Sequence, residues 1–219
     1  MVEAPERERA VAPRRGRETR AAIDAAAVEL FAQRGYHATS MRALAAAAEI
    51  QPAAIYHWYP GKEAILVHLQ DEFMAELTER VVAAMAEQDR PALKLAAAVR
   101  EHVAYHGEHP DEAFVTDSEI RALRERPRRA LIAKRDEYQR MFGGLVRAGI
   151  ADGSLRTSDP DVATYAILLQ CTGVALWFDP SGPLGLDEVA AVHVELVLGG
   201  LGADRKLIAA AVAAPGGRG

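Results

Sequence analysis

The chain has 219 residues, of which 50% are hydrophobic and 26% are charged, and its formal net charge at pH 7 is −5. This size allows one or two domains with a substantial buried core, while the single cysteine, Cys171, excludes an intramolecular disulfide and favours a reducing compartment. No apolar run reaches membrane-spanning length and the charged N-terminus lacks the apolar core of a signal peptide, so we expect a cytoplasmic protein with no membrane partner.

The first part of the chain differs in charge from the rest. Residues 1–62 contain nine Lys and Arg against seven Asp and Glu, a net of +2, and the remainder has a net of −7. A mildly basic end on an acidic body is typical of a protein that presents one surface to phosphate groups. Residues 1–16 are charged and show no apolar period, so we expect a disordered basic arm there. This arm either reaches into a nucleic-acid minor groove or is a solvated tail.

Three short helices are predicted after the arm. Residues 17–34 carry an apolar stripe at helical spacing, and Gly35 follows at a C-cap position. Residues 41–48 repeat apolar side chains at 0, 3, 4 and 7, which indicates a second amphipathic helix. Residues 52–58 form a third, whose initial proline suits a first turn. The last two helices, with a tight corner between them, indicate a helix-turn-helix, whose second helix can enter the major groove of DNA.

A set of residues in and around this motif is more specific than the helical pattern. The set consists of Thr39-Ser40, Ala45, Ile55-Tyr56 and Tyr59-Pro60-Gly61-Lys62-Glu63. These residues resemble the DNA-binding signature of the TetR family of bacterial repressors, and the resemblance covers about residues 19–69 closely. The family usually has glycine at the corner of the motif, where this chain has Glu49. A non-glycine residue at that corner is strained if its φ is positive.

The resemblance implies a division of the chain and a mode of action. It implies a helix-turn-helix DNA-binding domain over residues 17–62, a helical ligand-binding and dimerisation domain over residues 63–212, and a disordered tail at 213–219. It also implies a homodimer on a palindromic double-stranded DNA operator, whose half-sites are about 34–36 Å apart. No nucleophile elbow, P-loop or dinucleotide fingerprint appears in the sequence, so we expect neither an enzyme nor a cofactor.

The DNA-contact candidates lie at the start of the motif helices and just after the second. Ser40 either only caps its helix or also meets a phosphate, because the free N–H groups of a helix N-terminus bind anions. Arg42 lies opposite the apolar stripe, where it either reads guanine or is an ordinary surface arginine. The resemblance assigns phosphate contacts to Tyr56, His57 and Lys62. The predicted set is Thr39, Ser40, Arg42, Gln51, Pro52, Ala53, Ala54, Tyr56, His57 and Lys62.

The rest of the chain keeps the helical period and shows no segment that alternates convincingly with period two. A long helix that begins at Lys62 is expected to connect the DNA-binding domain to the body. Most of the later helices begin at a proline, which suits a first turn. Helices are predicted over residues 62–88, 91–106, 110–124, 127–151, 160–178 and 187–201. The fold is therefore predicted to be all-α, with about nine helices.

Two of these predicted helices are candidates for a dimer interface. Residues 161–178 are apolar nearly all round, which is too much for the surface helix of a monomer. Together with residues 187–201 they would make a two-fold helical interface, the dimer mode that TetR-like repressors use. The sequence therefore predicts a homodimer that associates through these two helices.

Large and polar side chains on the body helices indicate a mostly apolar ligand site with a few polar groups, although each of them alone is also explained as core. Residues 175–190 resemble the end of the ligand domain in TetR-like regulators of fatty-acid and sterol breakdown, which respond to acyl-CoA thioesters. We therefore expect a small hydrophobic or acyl-CoA effector. Five arginines between residues 121 and 129 either meet CoA phosphates or form a solvated helix face. The predicted ligand set is Tyr105, His106, Phe114, Tyr138, Met141, Phe142, Gln170 and Trp177.

A histidine pair leaves a second function open. His102 and His106 are four residues apart on one helix face, a spacing that suits metal ligation if His109, Asp117 or His193 supplies a third ligand. Two histidines alone are more often core or pocket residues, so we expect no metal site. A metal-responsive or ligand-independent DNA-binding regulator is the alternative function.

Overall fold

The computed structural model describes residues 12–214, so most of the expected arm at 1–16 and residues 215–219 of the expected tail lie outside the described residues. Over the described range the chain has eleven α-helices, one 3-10 helix (Glu119–Ala122, between α6 and α7) and no strand, which confirms the predicted all-α fold. None of these helices is long and apolar enough to cross a membrane. The helices are α1 (Ala12–Arg34), α2 (Met41–Ala47), α3 (Pro52–Trp58), α4 (Lys62–Ala86), α5 (Pro91–Glu108), α6 (Pro110–Ser118), α7 (Glu125–Ala151), α8 (Pro160–Thr172), α9 (Val174–Trp177), α10 (Leu186–Gly200) and α11 (Arg205–Ala213).

The helix boundaries differ clearly from the expected ones in four places. The helix expected over residues 110–124 ends at Ser118 and is followed by the 3-10 helix. Helix α1 begins at Ala12 rather than at residue 17. The helix expected over residues 160–178 is divided at Gly173, whose N–H closes the last turn of α8, and glycine is a poor residue for a helix interior. Helix α11 was not expected. It begins at a capping residue, Asp204, whose carboxylate accepts a hydrogen bond from the N–H of Leu207 at 2.7 Å.

The first three helices pack around a small core. Ile23 and Phe31 of α1, Leu44 of α2 and Ile55 of α3 are completely buried in it. Burying a side chain of this size stabilises the fold by about 1.5–3 kcal/mol relative to leaving it exposed. Gly35 ends α1 with a φ of 81°, which is the left-handed conformation expected of a glycine C-cap.

This N-terminal core includes residues from beyond the expected domain boundary at residue 62. Val115 of α6, Leu123, and Leu131 of α7 belong to the same cluster of buried side chains. The N–H of Tyr36, just after α1, donates a hydrogen bond of 3.1 Å to the carboxylate of Glu119. The three-helix unit is therefore packed directly against the body.

Helix α5 forms the centre of the body, where α4, α7, α8, α10 and α11 contact it. Every residue from Glu101 to His106 is buried, so the polar side chains in this stretch must find partners inside the protein. The carboxylate of Glu101 accepts a hydrogen bond of 2.5 Å from Nε of Arg80 on α4. The body core therefore consists of apolar residues packed around α5, and α5 itself contains a buried polar segment.

Helix α4 belongs to both cores. Ile65 and Leu66 are buried in the N-terminal core, whereas Phe73 and Leu77 are buried in the body core. Gln70 lies between the two pairs and is 1% exposed. Neither its amide nitrogen nor its amide oxygen has a hydrogen-bond partner among the described residues. An unpaired buried amide destabilises a protein by about 1–3 kcal/mol.

We predict that Gln70→Leu raises the free energy of unfolding by about 1–2 kcal/mol, because it replaces the unpaired amide by an apolar group of similar size. Gln33→Leu is the matched control, because Gln33 is exposed on α1 and the change there should stay within about 0.5 kcal/mol. Urea denaturation of both variants measures the difference. A loss of stability in Gln70→Leu would mean that the amide is satisfied in the folded protein.

Candidate DNA-binding surface and ligand cleft

The corner between α2 and α3 has a left-handed residue. Ser40 caps α2, with its Oγ accepting a hydrogen bond from the N–H of Ala43 at 3.2 Å, as the sequence predicted. At the corner Glu49 has a φ of 55°, and it is the only non-glycine residue with positive φ in the described range. The N–H of Ile50 then donates to the carbonyl of Ala45 at 2.9 Å, which closes the turn. The left-handed conformation costs an L-residue roughly 1–2 kcal/mol. Glycine, which the TetR-like pattern usually has at this corner, takes the same conformation without that cost.

Eight of the ten predicted DNA contacts are exposed on α2 and α3 or at their N-terminal ends. They surround the buried Leu44, Ala45 and Ile55 on the solvent side of the motif. Tyr56 is the most exposed aromatic residue of the motif, at 56%. The exposed members are Ser40, Arg42, Gln51, Pro52, Ala53, Ala54, Tyr56 and His57. This surface combines a few hydrogen-bond donors with small apolar groups, which suits phosphates and thymine methyl groups.

The other two predicted contacts are engaged inside the protein. Thr39 is buried, and its hydroxyl lies 3.0 Å from the carbonyl of Gly35 and 3.3 Å from that of Leu30. Nζ of Lys62 donates to the carbonyl of Thr39 at 2.7 Å and to that of Tyr36, and it lies 4.2 Å from the centre of the Tyr36 ring. Partial burial lowers the pKa of Lys62. These two side chains hold the loop before α2, and the Thr39 hydroxyl is directed at backbone carbonyls inside the protein.

A polar cluster, which we call the α1–α4 brace, ties the motif to α4. It consists of Arg20, Asp24, Tyr59, His68 and Glu72. The hydroxyl of Tyr59 donates to Asp24 at 2.5 Å and accepts from Nε of Arg20 at 3.2 Å. Burial, and then the hydrogen bond to Asp24, raise the pKa of Tyr59. The brace therefore fixes the end of α3 to both α1 and α4.

The brace is also the place where side chains of metal-ligating type meet. Ligand atoms of Asp24, His68 and Glu72 lie within 4.8 Å of one another, and no other such group of three is found over the described residues. A guanidinium nitrogen of Arg20 lies 2.9 Å from each ring nitrogen of His68. The same guanidinium is 3.9 Å from carboxylate oxygens of Asp24 and Glu72. A cation of the chain itself therefore already balances these carboxylates.

A cleft opens between α4 and α7 and has two parts that share Met74 and Tyr138. The outer groove, about 540 Å³, is lined by Met74, Ala75, Thr78, Glu79, Val82, Lys134, Glu137, Tyr138 and Met141. The second part, about 180 Å³, is also open to solvent, and we call it the inner cavity because it reaches the buried histidines of α5; it is lined by Phe73, Met74, Leu77, His102, His106, Thr116, Asp117, Arg135, Tyr138, Gln139, Leu168 and Thr172. Apolar side chains line most of the groove, whereas polar side chains gather in the cavity. This combination is the one that small-molecule sites share.

Two stacked histidines lie at the cavity. The rings of His102 and His106 are 4.1 Å apart and nearly parallel. Nδ1 of His102 lies 2.8 Å from the hydroxyl of Tyr138, and its Nε2 lies 3.1 Å from that of Thr172. Burial, with smaller repulsion from His106 and His193, holds the pKa of His102 well below its ordinary value. Burial lowers the pKa of His106 to about 4, so both rings are neutral at pH 7.

An ion pair lies beside the histidines. Nη2 of Arg135 donates to the carbonyl of Thr116 at 2.6 Å and lies 3.4 Å from a carboxylate oxygen of Asp117. Burial raises the pKa of Asp117, and Arg135 opposes this effect. Burial likewise lowers the pKa of Arg135, against the attraction of Asp117. The pair therefore places one partly buried positive charge against the polar end of the cavity.

The structure divides the predicted ligand set into three groups. His106, Tyr138 and Met141 line the cleft. Tyr105 and Phe142 are buried next to it, in ring contact with Phe73 and His102 respectively. The remaining members, Phe114, Gln170 and Trp177, are exposed and do not line the cleft. Trp177 stacks instead on His193, with ring centres 6.2 Å apart.

Most residues of the inner cavity were not expected from the sequence. Thr116, Arg135, Met74 and Thr172 were not proposed as ligand residues, and Asp117 was named only as a possible third metal ligand. One feature of the sequence did indicate this cavity, namely the histidine pair at i and i+4. Two histidines on a mostly apolar helix need polar partners from the helices packed against it. Those partners come from α7 and α8, far away in the chain, so no local pattern indicates them.

A large apolar surface covers one side of the body. Helices α8, α9 and α10 expose apolar side chains there with between 45% and 77% of their area accessible. We call this surface the α8–α10 face, and it consists of Val162, Tyr165, Leu169, Leu176, Trp177, Val192 and Leu196. Exposed apolar surfaces of this kind mark interaction sites.

The five arginines near the start of α7 do not line the cleft. The backbone N–H of Arg124 donates to Glu63 at 2.8 Å, and its Nε donates to the same carboxylate at 2.5 Å. These bonds lower the pKa of Glu63. Arg129 pairs with Glu125 one turn earlier. Arg121 and Arg126 are exposed, and Arg128 is half-buried.

Two family models match the chain. Residues 88–201 match the model described as the tetracyclin repressor-like C-terminal domain, and residues 23–69 match the model of bacterial regulatory proteins of the tetR family. The chain is 31% identical over 180 residues to the HTH-type transcriptional repressor KstR2 of Rhodococcus jostii, an alignment that covers 80% of this chain and 87% of the relative.

Solved structures are also similar. A tetR-family regulatory protein from Rhodococcus RHA1 superposes with a TM-score of 0.80 and 28% identity, over 85% of this chain and 98% of the other. AibR, in a complex with isovaleryl coenzyme A and operator DNA, superposes with a TM-score of 0.75 and 25% identity, over 82% of this chain and 97% of the other.

We predict that Glu49→Gly raises the free energy of unfolding by about 0.5–1 kcal/mol, since relief of the left-handed strain exceeds the entropic cost of glycine. Ala46→Gly, on an exposed position of α2, is the control and should lower it by about 1 kcal/mol. Calorimetry compares the two variants with the parent chain. If both variants are destabilised alike, the corner is not strained.

Proposed function

The chain belongs to the TetR family of bacterial regulatory proteins, and from this membership we propose that it is a homodimeric transcriptional repressor of the cytoplasm that an acyl-CoA effector releases from a palindromic operator. The observation that carries the proposal is the cleft between α4 and α7. One of its walls, α4, is the helix whose first residue, Lys62, holds the loop of the DNA-binding motif.

The DNA-binding part of the proposal rests on the solvent side of α2 and α3. Arg42, Gln51 and His57 supply hydrogen-bond donors there, and Pro52 to Ala54 supply small apolar contacts. The N-terminus of α2 adds free N–H groups that bind a phosphate. With few base-reading groups, we expect phosphate contacts and DNA shape to contribute much of the affinity, so binding should weaken as salt rises.

The α8–α10 face supports the homodimer. A monomer that exposed this many apolar side chains together would lose the stabilisation that their burial provides, about 25 cal/mol for each Å². Two copies of the face, related by a two-fold axis, would cover each other. The two motifs would then be held at a fixed separation, as a palindromic operator requires.

The outer groove supports a hydrophobic effector. Its walls carry Val82, Met74 and Met141, and methionine adapts to irregular apolar ligands. The similar structure AibR is a complex with isovaleryl coenzyme A, which gives a precedent for the acyl-CoA class. Lys134 is the cation of the groove lining and is paired with Asp71 at 2.7 Å, so an anionic group of the effector would have to compete with this carboxylate for it.

Release of DNA requires that the effector bind one arrangement of the molecule more tightly than another. A ligand that separates α4 from α7 would tilt α4 and thereby move the loop that Lys62 holds. The brace would transmit the same tilt to α3 through Tyr59. In the dimer, the two α3 helices would then no longer match the spacing of the half-sites.

For the dimer, we predict that Leu196→Glu produces monomers that bind operator at least tenfold more weakly, because it buries two like charges near the two-fold axis. Ile132→Glu changes an exposed apolar residue of α7 outside the face and should leave the dimer intact. Sedimentation velocity at micromolar concentration separates the two cases. A parent protein that sediments as a monomer would contradict the proposed interface.

For the effector, we predict that medium- or long-chain acyl-CoAs release the protein from a labelled duplex that it selects from a random pool. Met141→Trp fills the outer groove and should raise the half-maximal acyl-CoA concentration about tenfold without changing operator affinity. Ile150→Trp, an exposed site on the same helix, is the control. Fluorescence anisotropy of the duplex follows release. If free acids act and acyl-CoAs do not, the CoA class is wrong.

A further inference from the structure

We propose that the effector carries a hydroxyl group, which donates a hydrogen bond to Nε2 of His106 in the inner cavity. This inference deepens the proposed function and rests on it for the location of the effector site. It concerns which apolar molecule the cleft selects rather than whether one binds. The selection of the ligand depends on which polar groups around the cavity still have a free hydrogen-bond donor or acceptor.

The tautomer of His106 follows from its helix. Its Nδ1 lies 2.9 Å from the backbone carbonyl of His102, one turn earlier on α5. A carbonyl oxygen can only accept, so Nδ1 carries the hydrogen. A neutral ring has one N–H, so Nε2 presents a lone pair. Nε2 is therefore a hydrogen-bond acceptor.

This acceptor is unpartnered and lies in the cavity. His106 is 4% exposed and lines the inner cavity, and no hydrogen bond to its Nε2 is found among the described residues. The Phe73 ring packs on it nearly perpendicularly, at 5.4 Å between ring centres. Among the described residues only the Gln70 amide is both buried and without a partner, so Nε2 of His106 is open to solvent through the cavity. A ligand hydroxyl replaces this solvation by a hydrogen bond, whereas an acceptor-only ligand removes the solvation and replaces it with nothing.

The other histidine and the ion pair of the cavity are engaged with neighbouring groups, and Gln139 adds an amide to the lining. Both ring nitrogens of His102 have hydroxyl partners, Tyr138 and Thr172. Arg135 is shared between Asp117 and the carbonyl of Thr116. Among the histidine nitrogens of the cavity, Nε2 of His106 is thus the one left for a ligand.

The electrostatics favour a neutral donor. Arg135 lies near enough to His106 to lower its pKa by repulsion, so an ammonium donor at Nε2 would meet this repulsion as well as the attraction of Asp117, whereas a neutral donor meets neither. A carboxylate or a ketone offers only lone pairs to Nε2, which repel it. A hydroxyl is neutral, donates to Nε2, and can accept from whichever of Tyr138 and Thr172 accepts the N–H of His102, because that hydroxyl keeps its own hydrogen free. The acceptor tautomer therefore selects an alcohol in preference to a ketone, an acid or a plain hydrocarbon.

The test compares three acyl-CoAs of equal chain length on the full-length protein: decanoyl-CoA, its ω-hydroxy derivative, and a derivative whose chain ends in a methyl ketone. Calorimetric titration measures binding to the protein alone, and operator release is measured separately. We expect the hydroxy compound to bind about tenfold more tightly than decanoyl-CoA, and the ketone to gain nothing. His106→Phe, which keeps the ring and removes the acceptor, should abolish the preference and retain affinity for decanoyl-CoA.

Each outcome decides one of the two claims. Equal binding of the three compounds to the parent protein, a preference that survives in His106→Phe, or no binding at all would overturn the hydroxyl proposal. Because the comparison among ligands uses the parent protein, it stands even if the variant fails to fold. Preferential binding of the hydroxy compound without operator release would support the hydroxyl site and overturn the proposed effector function. Operator release by the acyl-CoAs without preferential binding of the hydroxy compound would support the proposed effector function and overturn the hydroxyl site.

Discussion

Helix α4 is held at two places by different parts of the molecule. At its start, Lys62 donates to backbone carbonyls of the loop before α2, and Ile65 is buried in the N-terminal core. Further along, Phe73 and Leu77 are buried in the body core. Since the helix is continuous over its 25 residues, a displacement in the body is carried to the motif unless one of these attachments breaks. The position of the DNA-binding surface relative to the body therefore depends on this helix, together with the contacts of α6 and α7 to the N-terminal core.

The opposite wall of the cleft is also tied to the motif. Leu131, near the start of α7, is buried in the N-terminal core, and Arg124, just before that helix, bonds to Glu63 of α4. Both walls of the cleft are therefore attached to the motif side of the molecule, so a change in their separation acts on elements that contact the motif directly.

The helical pattern was enough to predict the fold, because amphipathic stripes and prolines at first turns are local features. The inner cavity could not be predicted in this way. Its histidines lie on α5, but their partners, Tyr138 and Thr172, come from helices that only tertiary packing brings together. Trp177 shows the opposite error: a large aromatic residue was expected in a ligand site, yet it belongs to an exposed face. Size and polarity do not reveal which side of a helix faces the interior and which faces solvent.

Thr39 and Glu49 show why the motif itself was only partly predictable. The Thr39 side chain bonds to carbonyls at the end of α1, so its role depends on how the chain folds back after Gly35. Glu49 takes a left-handed conformation because the hydrogen bonds of the corner require it, against the preference of its own side chain. Together with the unpaired amide of Gln70, it is a local cost along the path from cleft to α3. A switch needs two arrangements that differ by only a few kcal/mol, and an uncompensated group on a connecting element reduces that difference when the second arrangement relieves it.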